Sequence, residues 1–305
     1  MRIMVVGGAG FIGSHLVDRL LAEQHVVDVV DDLSSGSLAN LASARGAGGD
    51  LKIHHLDAGS AEFVALVAMR EPDVIVHLGL LPPGRSTTAA MSSSVHTTLN
   101  VLDAARRSGP GKVVVGLPAG ALYGEVPSRE QPVKDGRPFA PTSVRGVIAH
   151  TVVDLLTTAR RTDDVEFTAL ALAAVYGPRQ RDDVGVVAAF AHAIARGQPV
   201  TIHGDGRQMR DFLFIDDAVD AFVRATQRGG GLVVNIGTGT PTSIRDLWAA
   251  LAGPSASPPR HTPERPGDLA RVALSPTRAR IHLAWAPWTD LESGLRAVRP
   301  LIADS

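Results

Sequence analysis

The sequence predicts an α/β fold: a doubly wound parallel sheet with helices on both faces, followed by a smaller C-terminal domain. Over the first 175 residues, short β-branched runs alternate with longer helical stretches. Such alternation is typical of parallel strands joined by right-handed crossover helices. The pattern changes after Tyr176-Gly177-Pro178, and a length of 305 residues leaves room for about two domains.

The strands and helices are predicted from the spacing of apolar residues. Six β-branched runs predict strands at residues 2–6, 26–30, 51–56, 73–78, 112–115 and 166–171. Crossover helices are predicted at 13–23, 61–71, 95–107 and 143–161. Farther along, helices are predicted at 184–196, 216–227 and 244–251, a short strand at 199–203, and strands at 210–215 and 232–236 that return to the main sheet. The stretch 255–266 is predicted to be a surface loop.

Composition excludes several classes of protein. With 45% hydrophobic and 20% charged residues, the chain can bury a sizeable core. Its net charge of −1 lacks the basic footprint of a nucleic-acid binder, and the absence of cysteine excludes disulfides, thiolate nucleophiles and cysteine-ligated zinc. No apolar run reaches the ~18 residues of a membrane span. We therefore expect a cytoplasmic protein with a small-molecule substrate and neither a membrane nor a nucleic-acid partner.

No metal site is predicted. His54 and His55 stand near Asp57 in the sequence. Adjacent residues of a strand point to opposite faces, so the two imidazoles are not expected to share one ion.

A glycine-rich turn after the first strand predicts a Rossmann-like dinucleotide site. Gly7, Gly10 and Gly13 lie in GGAGFIG, between the first strand and the first helix. One glycine permits the tight turn, one lets the backbone approach the pyrophosphate, and one lets the helix pack on the strand. The phosphates then meet the free N–H groups of the helix N-terminus. Asp31 and Asp32 close the next strand, where such sites carry an acid for the ribose.

Several longer stretches carry a family resemblance. These are GGAGFIGSHLVDRLL, DDLSSG, VIVHLG, VYGPRQ, GDGRQMRDFLFIDD and NIGTG. With them, nearly the whole chain resembles the extended short-chain dehydrogenases/reductases of the nucleotide-sugar epimerase and dehydratase group. The resemblance implies that the cofactor contacts are Gly7, Gly10, Phe11, Ile12, Gly13, Asp31, Asp32, Ser34, Ser35, Asp57, Ala58, Leu78, Gly79 and Leu80.

The same resemblance orders these contacts along the cofactor. It implies that Asp31 binds the adenosine ribose, Asp57 and Ala58 the adenine, and residues 78–80 the middle of the dinucleotide. An acid at position 31 favours NADH, because a 2′-phosphate would meet a like charge. Ser34 and Ser35 are donors that tolerate that phosphate, so NADPH and NADH both remain open.

The resemblance also implies a division into domains. Residues 1–173 with about 204–238 are predicted to form the dinucleotide-binding domain, and about 174–203 with 239–305 the smaller substrate-binding domain. Members of this group often pair through two long helices, here the predicted helices at 95–107 and 143–161. Monomer and homodimer both remain open.

The catalytic residues implied by the resemblance are missing. The group uses a serine or threonine, a tyrosine and a lysine four residues after it, and these align with Ala119, Arg145 and Ala149. No Tyr-x-x-x-Lys exists in the chain, since its two tyrosines, Tyr123 and Tyr176, are followed four residues later by proline and glutamine. The catalytic residues are therefore unknown, with Tyr123 and Arg145 as weak candidates.

Three residues resemble the group's clamp for a nucleotide-sugar diphosphate and ribose. They are Arg210, Arg265 and Asp268. A set of structural ion pairs explains them equally well.

Three functions follow from this combination. The main prediction is an NAD(P)H-dependent ketoreductase that reduces a carbonyl of a polycyclic aromatic polyketide of the angucyclinone type, with the proton supplied by the substrate's own neighbouring hydroxyl. The combination of a complete scaffold and a missing triad resembles atypical ketoreductases of this kind. The first alternative is an NAD-dependent nucleotide-sugar epimerase or dehydratase that uses other residues. The second is a non-catalytic dinucleotide-binding protein.

Overall fold

A seven-stranded parallel sheet forms the larger part of the molecule, as a computed structural model shows for residues 1–81, 88–109, 111–252 and 257–298. The strands are β1 Arg2–Val6, β2 Val26–Asp31, β3 Leu51–His55, β4 Val74–His77, β5 Lys112–Pro118, β6 Phe167–Leu172, β7 Ala174–Tyr176, β8 Thr201–His203, β9 Met209–Phe214, β10 Leu232–Ile236, β11 Pro241–Ser243, β12 Arg260–Thr262 and β13 Arg271–Val272. The large sheet has the order β10-β6-β5-β4-β1-β2-β3, and every pairing in it is parallel. The predicted α/β fold is confirmed.

The helices cover both faces of this sheet. They are α1 Phe11–Ala22, α2 Ala42–Gly46, α3 Ala61–Arg70, α4 Thr88–Ser108, α5 Ala119–Tyr123, α6 Val144–Asp163, α7 Val186–Ala195, α8 Ile215–Ala225, α9 Ile244–Leu251, α10 Thr277–His282 and α11 Leu291–Val298. Helix α4 begins seven residues before its predicted start, because the Ala- and Ser-rich segment ahead of residue 95 lacks the apolar periodicity from which it would be predicted.

Alternation along β1 shows how the strands divide the core. Ile3 and Val5 face the cluster that contains α1 and α8, whereas Met4 and Val6 face the cluster that contains α3, α4 and α6. Successive side chains of a strand point to opposite faces. Strands buried on both faces are almost continuously apolar, and this made them recognisable in the sequence.

The strand order creates a crevice at the carboxyl edge of the sheet. From β1 the chain proceeds outward to β2 and β3, and then returns to β4 on the other side of β1. The loops after β1 and β4 therefore leave the sheet in opposite directions. In open α/β sheets, ligands bind at this switch point, outside the carboxyl ends of the strands.

A smaller sheet stands next to the large one. Strand β9 pairs with β7, β11 and β13, and β8 pairs with β12. The prediction that residues 210–215 return to the main sheet is wrong, because β9 has all its strand partners in the small sheet; β10 does return, beside β6. The segment 255–266, predicted to be a loop, contains β12, although residues 253–256 lie outside the described part of the chain. The predicted domain boundaries stay a prediction.

Two expected absences concern the described residues only. No helix in this part of the chain is long and apolar enough to cross a membrane. Within the same residues, no three His, Asp or Glu side chains are grouped so that they would hold a metal ion.

Candidate active site

The glycine turn after β1 is shaped by close backbone contacts. Gly7 has φ +79°, and a Cβ there would lie 2.7 Å from the backbone nitrogen of Gly79. A Cβ on Gly13 would lie 2.2 Å from the carbonyl oxygen of Gly7. Real Cβ atoms do not approach backbone so closely, so the fold itself requires glycine at both positions.

Gly10 differs from the other two. Among the described residues, apart from its chain neighbours and its own helix, the atom nearest to its notional Cβ is the Gly7 oxygen, at 3.2 Å. Gly10 is the N-cap of α1, and no side chain caps this helix. In the part of the chain that the structure describes, no side chain takes up the first-turn N–H groups at the positive end of this helix dipole, and such a helix N-terminus suits a diphosphate.

Asp31 stands at the carboxyl end of β2, as predicted. Its carboxylate is 7% exposed and accepts hydrogen bonds from the backbone N–H groups of Ala9 and Leu33, both at 2.8 Å. Burial raises the pKa of this carboxyl. A carboxylate has about four lone-pair sites, so both oxygens retain acceptor capacity for ribose hydroxyls.

The exposed residues after Asp31 form the outer rim of the site. Asp32 accepts the backbone N–H of Ser34 at 2.9 Å, and Ser34 and Ser35 are exposed. The carbonyl oxygen of Ser35 lies 3.5 Å from the guanidinium of Arg181.

The remaining predicted cofactor residues follow β3 and β4 at the same edge. Asp57 accepts the N–H of Gly59 at 2.7 Å, and Ala58 is buried beside it. Residues 78–80 follow β4, and the N–H of Leu78 donates to Val6 at 2.8 Å. The predicted cofactor positions thus lie along one edge of the sheet, after four neighbouring strands, and their arrangement fits an extended dinucleotide.

The three positions of the missing triad lie close together. Ala119 begins α5 directly after β5, and Arg145 and Ala149 lie one turn apart on α6. The two helices touch so closely that a Cβ on Gly146 would lie 2.1 Å from the carbonyl oxygen of Ala121. Both alanines are completely buried, and Arg145 is half-buried. Burial lowers the pKa of the Arg145 guanidinium.

The structure argues against Tyr123 as a catalytic acid or base. Its side chain is 2% exposed, and its hydroxyl donates to the Asn235 Oδ1 at 2.8 Å. Burial raises the pKa of Tyr123 to about 12. Asn235 in turn donates to the carbonyl oxygen of Val133 at 3.0 Å. The Tyr123 phenol is part of a buried hydrogen-bond network, so the structure does not support Tyr123 as the catalytic group.

The residues of the predicted diphosphate clamp meet in part. Arg210, on β9, donates to the carbonyl oxygens of Met209 and Leu269 at 2.8 and 2.7 Å, and forms an ion pair with Asp268. Arg265 is exposed, and its carbonyl oxygen accepts the N–H of Asp268 at 3.1 Å. The Arg210 guanidinium is therefore held in place. Arg265 lies at the surface, three residues before Asp268.

Comparison with known proteins places this site in a family. The model of the NAD dependent epimerase/dehydratase family matches residues 3–237. A UDP-glucose 4-epimerase of Mycolicibacterium smegmatis is 41% identical over 97% of this chain and 96% of its own length. The chain belongs to the NAD-dependent epimerase/dehydratase family.

Solved structures of the family agree with this assignment. UDP-glucose 4-epimerase of Thermotoga maritima, solved with UDP-glucose, has a TM-score of 0.93 and 31% identity, covering 100% of this chain and 99% of that one. UDP-glucose 4-epimerase of Thermus thermophilus, solved with NAD, has a TM-score of 0.90 and 29% identity, covering 99% of both chains. The prediction of a nicotinamide dinucleotide cofactor is confirmed, as NAD, and the family assignment supports an enzyme.

The main functional prediction is wrong. The similarity over nearly the full length is to UDP-sugar epimerases, and this contradicts a ketoreductase of angucyclinone-type polyketides. The prediction relied on the missing triad, which shows what the chain lacks without showing what it binds. The first alternative, nucleotide-sugar chemistry, agrees with the comparisons.

Sequence reasoning missed one part of the candidate NAD site. A Cβ on Gly36 would lie 2.9 Å from both the carboxylate of Asp31 and the backbone of Ala9. Asn40 donates its side-chain amide to the carbonyl oxygen of Ala9 at 2.9 Å. The segment after β2 therefore holds the glycine turn in place, and the glycine that ends DDLSSG was the available signal.

Proposed function

We propose that the protein is an NAD-dependent enzyme that binds a nucleoside diphosphate sugar and carries out epimerase- or dehydratase-type chemistry on its sugar ring. The observation that carries the substrate class is the fixed guanidinium of Arg210 on β9. The full-length similarity to UDP-sugar epimerases supports the same class.

Arg210 is suited to a diphosphate. Two of its N–H groups are satisfied by backbone carbonyls and one by Asp268, so the guanidinium is held in a defined orientation before substrate arrives. Arginine binds phosphate oxygens through a planar set of donors. Strand β9 runs beside β7, which begins two residues after β6 ends, so the small sheet extends from the carboxyl edge on which the NAD residues lie.

The NAD residues perform separate tasks. Gly10 leaves room for the diphosphate at the start of α1, and Asp31 accepts ribose hydroxyls. NAD, when bound, accepts a hydride from a sugar carbon and returns it. The chain must therefore hold the sugar against the nicotinamide and manage the proton of the reacting hydroxyl.

At the position of the family's tyrosine this chain carries a cation. In our proposal the guanidinium of Arg145 stabilises negative charge on the sugar oxygen, and water takes the proton. A half-buried cation acts more strongly than one in bulk water. The general acid–base group that is absent typically contributes ~10²–10⁴-fold, so slow turnover is expected.

A second candidate is a protein that binds NAD and a sugar nucleotide without turnover. Two buried alanines at positions where the family carries catalytic groups favour it. The two candidates make the same prediction for binding and opposite predictions for chemistry.

The first experiment measures binding. UDP-glucose and UDP-glucuronic acid are titrated by calorimetry into protein saturated with NAD, using the wild type, Arg210→Leu and Arg161→Ala. Arg161 is an exposed arginine in the last turn of α6, about 24 Å along the helix from Arg145. Loss of a charge-assisted contact is expected to weaken binding ~10–100-fold in Arg210→Leu and to leave the control unchanged. Absence of binding by the wild type would refute both candidates.

The second experiment measures chemistry. The same sugar nucleotides are incubated with enzyme and NAD, and anomeric proton signals are followed by NMR. New sugar signals that disappear in Arg145→Met, while binding persists, support the proposed enzyme. Binding with no change over days at high enzyme concentration supports the non-catalytic candidate.

A further inference from the structure

A strained residue lies four positions after the end of β4. Leu81 is 2% exposed and has φ +49°. Bulky L-residues rarely adopt the left-handed region, and such conformations persist only where surrounding contacts enforce them. Glycine has no such penalty and would be the ordinary choice here.

The contact that enforces it comes from helix α4. The backbone N–H of Leu81 donates to Ser94 Oγ at 2.8 Å, and Ser94 is 1% exposed. The Ser94 hydroxyl proton is donated to the carbonyl oxygen of Ala90 at 2.9 Å, which leaves the oxygen as an acceptor directed at Leu81. This geometry assigns the serine one role toward the loop: it accepts the N–H of the strained residue.

The residue that precedes 78–80, His77, also contacts helix α4. Thr98, one turn beyond Ser94, donates its hydroxyl to the Ser94 carbonyl oxygen at 2.8 Å. Its oxygen therefore accepts from the Nε2 of His77, 3.4 Å away, at the end of β4. Hydrogen bonds to α4 therefore hold the residues on both sides of 78–80: His77 before them and Leu81 after them.

Residues 78–80 lie against the glycine turn that follows β1. A Cβ on Gly7 would lie 2.7 Å from the nitrogen of Gly79. Because Gly7 has no Cβ, the two backbone segments lie close together, so a shift of residues 78–80 by a fraction of an ångström changes the space between them and the turn. The position of residues 78–80 therefore controls the space beside the middle of the dinucleotide.

We propose that Ser94 is a positioning residue for NAD: it holds Leu81 in the left-handed conformation and so sets the distance between the loop at 78–80 and the glycine turn. The serine itself does not touch the cofactor. The proposal concerns NAD binding and does not depend on which sugar nucleotide is the substrate.

The test compares NAD with AMP as ligands. AMP contains adenosine and one phosphate and lacks the nicotinamide half of NAD, and we expect the residues after β2 and β3 to hold its adenosine. In Ser94→Ala the N–H of Leu81 loses its acceptor, and NAD affinity is expected to fall ~10-fold while AMP affinity changes less than ~2-fold. The control is Thr226→Ala. Thr226 is 5% exposed, and among the described residues its hydroxyl donates to the carbonyl oxygen of Val223 in the last turn of α8.

A suppressor separates positioning from general stability. Glycine adopts the left-handed region without strain, so Leu81→Gly combined with Ser94→Ala is expected to recover NAD affinity to within ~3-fold of the wild type. Melting temperatures of all variants are recorded without ligand, and Leu81→Gly lowers stability in either background. The proposal is overturned if Ser94→Ala weakens NAD and AMP equally, if it matches Thr226→Ala, or if Leu81→Gly adds to the loss of NAD affinity.

Discussion

At the scale of single residues, glycine is required in the first turn for two physical reasons. Gly13 is required by the protein, because its missing side chain would collide with the backbone of Gly7 at 2.2 Å. At Gly10 a Cβ would meet the Gly7 oxygen at 3.2 Å, a milder contact, and we propose that the diphosphate is what requires glycine at this position. Substitution at Gly10 should therefore spare the fold and affect binding alone.

Gly10→Val is expected to weaken NAD binding strongly. The branched side chain would occupy the space of the diphosphate, and we expect the dissociation constant to rise on the order of 100-fold, by about 2.7 kcal/mol. Calorimetric titration of NAD measures it. Gly46→Val is the matched control, since Gly46 lies in helix α2 with no atom within 4 Å of its notional Cβ. Unchanged NAD affinity in a folded Gly10→Val would refute this placement of the diphosphate.

Asp31→Ala is expected to weaken NADH more than NADPH. The substitution removes an acceptor for the ribose hydroxyls and also a charge that repels a 2′-phosphate. The ratio of the two dissociation constants should shift at least ~10-fold toward NADPH, as measured by fluorescence titration of both reduced cofactors. Asp32→Ala, at the exposed neighbouring acid, is the control. Equal losses for both cofactors would show that Asp31 does not face the 2′ position.

At the scale of elements, β5, α5 and α6 together define the catalytic positions. Ala119 follows β5, and the close contact at Gly146 fixes α6 against α5 so that positions 145 and 149 face the same region. The strand and the two helices that carry these positions are present, whereas the family's catalytic side chains are absent from them. If the scaffold is competent, restoring those side chains should restore chemistry.

The triple variant Ala119→Ser/Arg145→Tyr/Ala149→Lys is expected to raise the rate of NAD-dependent sugar oxidation at least ~10²-fold, the lower range for a general acid–base group. Conversion of UDP-glucose, followed by the appearance of new anomeric proton signals in NMR, measures the rate. The control is Val144→Tyr/Ile148→Lys, which carries the same Tyr-x-x-x-Lys spacing one position earlier and therefore about 100° around the helix. An equal rate in both variants, or no gain in the triple variant, would contradict the proposed sugar chemistry.

At the scale of the whole molecule, the centre of the large sheet contains an ionisable group with no access to solvent. His77 is completely buried at the end of β4, and burial lowers its pKa to about 3. The folded protein therefore keeps this imidazole neutral at pH 5, whereas the unfolded chain protonates it near pH 6.5. Its contribution to stability is complete above pH 6.5 and is lost as the pH falls.

The free energy of unfolding is expected to fall by about 2 kcal/mol between pH 7 and pH 5 because of His77. Urea unfolding at both pH values measures the change in the wild type and in His77→Gln, and the difference between them isolates this residue. Burial raises the pKa of Asp31, Asp135, Asp211 and Asp217, which act in the opposite direction and cancel in the difference. The control is His282→Gln, at an exposed histidine of α10. An unchanged pH dependence in His77→Gln would contradict a neutral buried imidazole.

The functional prediction failed at this same scale. The chain has no Tyr-x-x-x-Lys anywhere. What this absence implies for the function depended on the rest of the chain, which resembles UDP-sugar epimerases over nearly its whole length. An absent catalytic group lowers the expected rate of a reaction, whereas the residues that we propose to bind the substrate lie on other elements.

The sequence by itself determined where the strands of the large sheet lie along the chain, where the glycine turn lies, and that an acid stands at position 31. These features have local causes: β-branched runs form buried strands, and a turn with positive φ needs glycine at Gly7. Each is encoded within a few neighbouring residues.

The tertiary structure alone decided where distant segments meet. It separated β9 from the large sheet, committed Tyr123 to Asn235 across 112 residues, and enclosed Ala119 and Ala149 completely. It also placed Ser94 against the strained Leu81. Such contacts depend on packing between elements far apart in the chain, and the burial they produce sets the pKa values and hydrogen-bond partners from which a residue's role is read.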